Sequence, residues 1–228
     1  MRCLLCQQSF IQSLTLADII YFRVLTTSPI CLNCHRKFLQ IEPDLACSGC
    51  GRLQTRQGLC QDCLTWQKKY PQLLHNRALF TYNDAMQEFF KQYKTSGDYQ
   101  LSNCFTSVLG QFLKKMPADD YVPIPTDTKS YQRRGFNPVC GIFGKVVPLY
   151  ECLNKRELPV KQAHKNRSER LATAQPFQAN MDKCRPLAGK QIILLDDVYT
   201  TGRTLFHARD CLLRAVPSLK ITTVTLAR

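Results

Sequence analysis

The sequence predicts an α/β protein: a mostly parallel sheet with helices on both faces, preceded by a small cysteine-rich module. Three observations carry this expectation. Apolar strand-like runs alternate with helix-period stretches from about residue 75 onward, the texture of a parallel sheet. Eight of the thirteen cysteines lie in the first 63 residues as four Cys-x-x-Cys pairs. The apolar run Ile192–Leu195 ends in two adjacent carboxylates, Asp196 and Asp197, and a Thr/Gly loop then opens a helix.

The cysteine pairs come first in the chain: Cys3/Cys6, Cys31/Cys34, Cys47/Cys50 and Cys60/Cys63. A Cys-x-x-Cys knuckle sets two thiolates on one ion with bonds of about 2.3 Å, and two knuckles close a tetrahedral site. Four knuckles imply two Zn2+ ions. Serial pairing (first with second, third with fourth) is the simplest arrangement, and a cross-braced pairing is the alternative. A closed four-thiolate site has no open position, so both ions read as structural rather than catalytic. Ser48-Gly49 and Gly51 supply turn chemistry that brings backbone amides to the sulfurs. His35 stands beside Cys34 but is not needed as a ligand. Cys104, Cys140, Cys152, Cys184 and Cys211 stand alone and read as small buried apolar groups.

This divides the chain into a metal module over 1–66, a polar linker over 67–76 that includes Pro71, and an α/β domain over 77–228. In the domain, Arg77–Tyr82 reads as a strand. Met86, Phe89, Phe90 and Tyr93 recur at helical spacing, and Lys94-Thr-Ser-Gly97-Asp98 stops that helix. Leu101 to Leu113 continues the same period and predicts one amphipathic helix. Tyr121–Pro125 is a short strand, 126–137 a polar loop, and a helix follows to about Val147. Residues 155–175 are basic and poor in large apolar groups, which predicts a long mobile loop with some helical content. Gln191–Leu195 is a buried strand, Arg203–Ala215 a helix and Lys220–Ala227 the last strand.

Composition narrows the function. Thirty-one Lys+Arg against 17 Asp+Glu give a formal net charge of +14. At 44% hydrophobic and 21% charged, the chain has the makeup of a packed protein. The longest nearly apolar stretch, Leu14 to Leu25, is interrupted by Asp18 and Arg23 and is too short to span a bilayer. The Met-Arg-Cys-Leu-Leu-Cys start lacks a signal-peptide pattern. A cytoplasmic protein without a membrane span is expected. Thiolates on two Zn2+ ions would carry the first module close to neutral, leaving the positive field on the second half. A phosphate backbone is the natural partner for such a field. The nucleic-acid candidates are Lys129, Arg133, Arg134, Lys155, Arg156, Lys161, Lys165 and Arg167, with Tyr131 and Phe136 placed to stack on bases.

The segment Asp196-Asp197-Val-Tyr-Thr200-Thr201-Gly202-Arg203-Thr204 is the most specific signal. Its carboxylates sit at the C-terminal end of a strand, where α/β sheets bind ligands. Adjacent carboxylates suit the two hydroxyls of a ribose. The amides and hydroxyls of Thr200, Thr201 and Thr204, with the positive end of the following helix, suit a phosphate. The chain holds no Gly-x4-Gly-Lys-Ser/Thr loop, so nucleoside triphosphate hydrolysis is not expected of it.

This segment resembles the phosphoribosyl-pyrophosphate loop of type I phosphoribosyltransferases. The whole chain resembles the ComF (ComFC-type) competence family, in which a double zinc ribbon precedes a type I phosphoribosyltransferase-like domain. The supporting motifs are the four knuckles, Phe80-Thr-Tyr82, Lys94-Thr-Ser-Gly97-Asp98, Val122-Pro-Ile-Pro125, Arg133-Arg134-Gly135-Phe136-Asn137, and Gln162 with Arg170. The resemblance implies that Asp196 and Asp197 contact ribose and that Thr200, Thr201, Gly202, Arg203 and Thr204 hold the 5′-phosphate. It implies that Arg133, Arg134 and Gly135 face the pyrophosphate, which Mg2+ would accompany, and that Lys161 and Arg170 come from a closing loop. It further implies a role in natural transformation, handling internalised single-stranded DNA with a ComFA-type helicase/ATPase. The protein would be at most peripheral to a membrane uptake machine and would reach the inner face of the membrane through partners. An active phosphoribosyltransferase of unknown acceptor, or a non-catalytic sensor of phosphoribosyl pyrophosphate, is the alternative.

Overall fold

The computed structural model describes residues 1–11, 28–156 and 175–228. Four parallel strands form the main sheet: β1 (Asn76–Phe80), β2 (Asp120–Pro123), β5 (Gln191–Val198) and β6 (Lys220–Ala227), in the order β1-β6-β5-β2. β5 is buried on both faces. Ile193 and Leu195 point into one apolar core and Ile192 and Leu194 into the other. That is why its sequence is continuously apolar rather than alternating. Each of these side chains gains about 2 kcal/mol from burial.

The first core lies under α3 (Asp84–Phe90), α4 (Thr106–Lys114) and α6 (Pro138–Phe143). Its centre is a ring cluster in which Phe38, Phe80 and Phe89 lie 4.9 to 5.0 Å from Phe105. The second core lies under α8 (Arg203–Ala215), with Leu205, Phe206, Ala208 and Leu212 facing inward.

Both edges of the sheet are covered. Residues 39–41 bridge to β1: the amide of Ile41 donates to the Leu79 carbonyl, and that of Thr81 to the Leu39 carbonyl. On the other side Leu149 bridges to Tyr121, and the amide of Tyr150 donates to the Tyr121 carbonyl.

Several elements differ from expectation. The stretch 126–137, expected to be a loop, contains α5 (Thr128–Arg134). Asp127 caps it by accepting from the Ser130 amide at 2.8 Å, and Gly135 ends it. The polarity of α5 concealed it, because no side chain in it is buried and no apolar period can form. The single helix expected over 101–113 is two pieces, a 3₁₀ turn at Tyr99–Asn103 and then α4, because Asp98 caps the amide of Gln100 and the backbone leaves helical geometry at Phe105. α6 stops at Phe143 rather than near 147. A short antiparallel ribbon, β3 (Leu153–Lys155) with β4 (Phe177–Ala179), was not anticipated, and three-residue strands carry too little pattern to be seen. Two short helices complete the metal module, α1 (Leu32–His35) and α2 (Gln61–Gln67), and α7 (Met181–Cys184) follows β4.

Candidate functional site

The cysteines assemble serially. Cys3, Cys6, Cys31 and Cys34 form one group and Cys47, Cys50, Cys60 and Cys63 the other, with the sulfurs of each group within 4.8 Å of one another. The Sγ–Sγ separations of 3.8 Å for Cys6–Cys31, 3.6 Å for Cys47–Cys63 and 3.5 Å for Cys50–Cys60 approach the tetrahedron edge of about 3.8 Å set by zinc–thiolate bonds. Amides also point at sulfur, as a thiolate requires: Cys31 N–H to Cys3 Sγ at 3.3 Å and Cys60 N–H to Cys47 Sγ at 3.2 Å. Burial raises the Cys3 thiol, but the amides of Cys6, Cys31 and Leu5 outweigh it and draw the thiol down to about 6. A side chain at Gly49 would press on Cys63 Sγ at 2.8 Å, so the third knuckle requires glycine there. Both groups therefore fit Zn2+, and His35 lies outside them. Of the other cysteines, Cys104, Cys152, Cys184 and Cys211 are buried and Cys140 is half-buried.

The carboxylate pair sits where β5 ends. Asp196 is 8% exposed, and its Oδ1 accepts the Asp197 amide at 2.9 Å. Asp197 forms an ion pair with Lys94 at 2.7 Å. Burial, reinforced by the neighbouring Asp197 charge, holds the Asp196 carboxyl well above the usual carboxylate range. Lys94 thus meets the more exposed of the two carboxylates.

Lys94 reaches this position because the helix after α3 widens into a π-helical turn over Lys91–Thr95. Such turns often mark functional positions. The ammonium also lies 4.4 Å from the Phe90 ring centre, and the Lys94 carbonyl accepts from Arg134 Nε at 2.9 Å. One residue thus links the carboxylate pair to the arginine-bearing helix α5. The motif Lys94–Asp98 was visible in the sequence, but its spacing gave Lys94 no partner.

Beyond Asp197 the chain makes a tight loop. Tyr199 is buried beneath it, while Thr200, Thr201 and Thr204 are exposed and Arg203 is half-buried. Gly202 has φ +79°, and a Cβ there would collide with the Tyr199 hydroxyl, so the loop can pass over that ring only at glycine. α8 starts immediately after, with its amide dipoles directed at the loop.

The other candidates are placed as follows. Arg133, Gly135 and Lys129 are exposed, and Arg134 is half-buried against Lys94. Lys155 pairs with Asp127 at 3.4 Å. The Ser130 amide, with help from Lys155, lowers the Asp127 carboxyl to about 2. Arg156 is exposed and donates to Gln178 Oε1 at 3.3 Å. Lys161, Lys165, Arg167 and Arg170 lie outside the described residues, as does the apolar stretch from Leu14 to Leu25. Tyr131 is exposed, whereas Phe136 is turned inward against Tyr93 and Tyr99, at 5.1 and 5.0 Å, and is not available to stack on a base. Among the described residues no helix is long and apolar enough to cross a membrane.

Sequence reasoning missed Trp66. Its indole Nε1 donates to the Thr201 carbonyl at 2.7 Å. Its position three residues after Cys63, on the same short helix, was the available signal.

No family model matches the chain. A competence protein ComFC from Streptococcus pneumoniae is 37% identical over 229 residues, covering 100% of both chains. A competence protein ComFC from Bacillus subtilis is 32% identical over 239 residues, covering 99% of this chain and 94% of its own. A solved structure of an allosteric regulatory enzyme of purine biosynthesis matches with a TM-score of 0.33 and 14% identity, over 54% of this chain and 26% of that one, and carries no argument at that level.

Proposed function

The chain belongs to the ComFC family of competence proteins, and from that premise we propose that it serves natural transformation through a phosphoribosyl-phosphate site at the end of β5. The observation that supports this most is the contiguous arrangement of Asp196, Asp197 and the Thr200–Thr204 loop ahead of α8, with Lys94 as counter-ion. In this reading Asp197 and Asp196 hold the ribose hydroxyls, and Thr200, Thr201, Gly202, Arg203 and Thr204 hold the 5′-phosphate. Arg133, Arg134 and Gly135 face a pyrophosphate, with Mg2+ neutralising part of its charge. Lys161 and Arg170 complete the site from the segment between Arg156 and Gln175.

The protein works on the cytoplasmic side of DNA uptake. Exposed Lys129, Arg133 and Arg156 meet the phosphate backbone of an incoming single strand, joined by Lys155, Lys165 and Arg167. The chain has no nucleotide-hydrolysing loop of its own, so a ComFA-type helicase/ATPase supplies the motive force.

Calorimetry with phosphoribosyl pyrophosphate and Mg2+ tests the site. Binding weakened about 100-fold in Asp196→Asn/Asp197→Asn is expected, and absence of binding by the zinc-loaded protein would sink the reading. Pyrophosphate release with candidate acceptors then separates transfer from sensing. A gel shift with single-stranded DNA across a salt series tests direct contact: the affinity should fall steeply with salt. Transformation by the double variant shows whether the phosphoribosyl site matters to uptake.

A further inference from the structure

We propose that the second cysteine cluster is part of the phosphate-loop machinery, with Trp66 as a positioning residue, so that metal at Cys47, Cys50, Cys60 and Cys63 and ligand at Thr200–Thr204 stabilise one another. The ligand half of this proposal rests on the phosphoribosyl reading. The mechanical half rests only on contacts.

Three sets of contacts join the cluster to the loop. The first is α2, which carries Cys63 and Trp66 one turn apart. The Trp66 indole N–H holds the Thr201 carbonyl at 2.7 Å, and its ring stacks on Phe206 in the first turn of α8 at 4.6 Å. Tyr70 stacks on Phe206 as well, at 4.3 Å. The second is Arg228. Its guanidinium lies 4.9 Å from the centre of the Tyr199 ring, the ring over which Gly202 passes, and it bonds Asp62 of α2 at 3.1 Å. The third is Asn76, whose Nδ2 donates to the Cys50 carbonyl at 3.0 Å and to Thr225 Oγ1 at 3.1 Å. Thr225 sits in β6 directly opposite Asp196 of β5. The cluster is thus fastened to the loop, to the ring beneath it and to the strand beside its carboxylates.

α2 has seven residues, too few to hold together without an anchor. A four-thiolate ion fixes its first turn through Cys60 and Cys63. Loss of the ion frees the helix, withdraws Trp66 from Thr201 and loosens the loop. Linkage makes the effect reciprocal: a ligand that needs the ordered loop must slow the loss of metal.

Trp66 is the only tryptophan of the chain, so tryptophan fluorescence reports on the surroundings of this one ring, between Thr201, Phe206 and Tyr70. The test uses the full zinc-loaded chain, a competing chelator and ribose 5-phosphate as probe. Trp66→Phe keeps the stacking on Phe206 and deletes the indole donor. Amide exchange at Tyr199–Thr204 should rise roughly five- to tenfold in that variant, while zinc content and melting temperature stay close to wild type. Chelation of wild type should produce the same acceleration together with a Trp66 fluorescence change. Ribose 5-phosphate should slow the phase of zinc loss that carries the fluorescence change, and should slow zinc loss less in Trp66→Phe. Unchanged exchange at the loop in both the variant and the stripped protein overturns the proposal. So does normal ribose 5-phosphate binding with no effect on that phase. If ribose 5-phosphate does not bind, the phosphoribosyl reading falls, and the exchange measurement alone decides the coupling.

Discussion

The two cysteine clusters have the same ligand chemistry and different neighbours. In the first cluster Cys6 is exposed, and the attachment to the rest of the protein runs through Phe38, which enters the ring cluster around Phe105, and through residues 39–41 on the edge of β1. In the second all four cysteines are buried, and the attachment runs to Tyr199, Thr201 and Phe206 around the loop. Cys-x-x-Cys spacing alone makes the two interchangeable. Position makes the first a cover for a sheet edge and the second a wall of the candidate site.

The largest effect should come from breaking each cluster in turn. Structural zinc supplies on the order of 10 kcal/mol to small modules. Cys60→Ser is expected to cost one zinc and, under the proposed function, to abolish both phosphoribosyl-ligand binding and capture of a ComFA-type helicase in pull-down. Cys6→Ser is expected to weaken its own zinc site but leave ribose 5-phosphate affinity within about threefold, since the first cluster packs into a different apolar core from Tyr199 and Phe206. Equal loss of ligand binding in the two variants would erase the distinction.

Next in size is the site itself. Asp196→Asn/Asp197→Asn removes both carboxyl groups, including the Asp197 carboxylate paired with Lys94, and should weaken phosphoribosyl binding about 100-fold, with both zinc ions retained by elemental analysis. Gly202→Ala should be smaller and structural. It forces a left-handed residue over Tyr199, costs about 1–2 kcal/mol in backbone strain alone, and should lower the melting temperature by several degrees.

The smallest effect is in pH dependence. Burial, with Asp197 beside it, raises the Asp196 carboxyl, so the native state keeps a proton that the unfolded chain gives up near pH 4. Its contribution to stability is complete below that point and is lost as pH rises toward the raised value. Asp196→Asn should flatten this decline, and the melting-temperature gap between variant and wild type should widen in the variant's favour from pH 5 to pH 8. A constant gap would mean that Asp196 is ionised throughout.

Legibility in the sequence followed the strength of each local signal. β5 and α8 were readable because an apolar run and a helical period frame the Asp196–Thr204 segment without ambiguity. The cysteines were readable as knuckles, but their pairing was left between two arrangements, since distance along the chain does not measure distance in space. α5 escaped because its residues are polar on every side and only the Asp127 cap marks its start. Lys94 and Trp66 escaped for a deeper reason. Lys94 meets Asp197, and Trp66 meets Thr201 135 residues further along the chain, and nothing local announces such a meeting. The motif around Lys94 showed that the residue mattered, but not what it touched.

The order of strands in the sheet has a consequence for how the molecule comes into being. β6 lies between β1 and β5, and its register with β1 is locked by Thr223 donating to Asn76, 147 residues earlier. Val224, Leu226 and Ala227 of β6 belong to the same core as Phe38, Phe80 and Phe105, so that core cannot be sealed before β6 is made. Until then the nascent chain shows aromatic surface and an incomplete sheet, and contacts of such long range close slowly. Folding is set by an encounter between distant segments, and a holding chaperone should raise the yield of this protein more than that of a helical bundle of equal length.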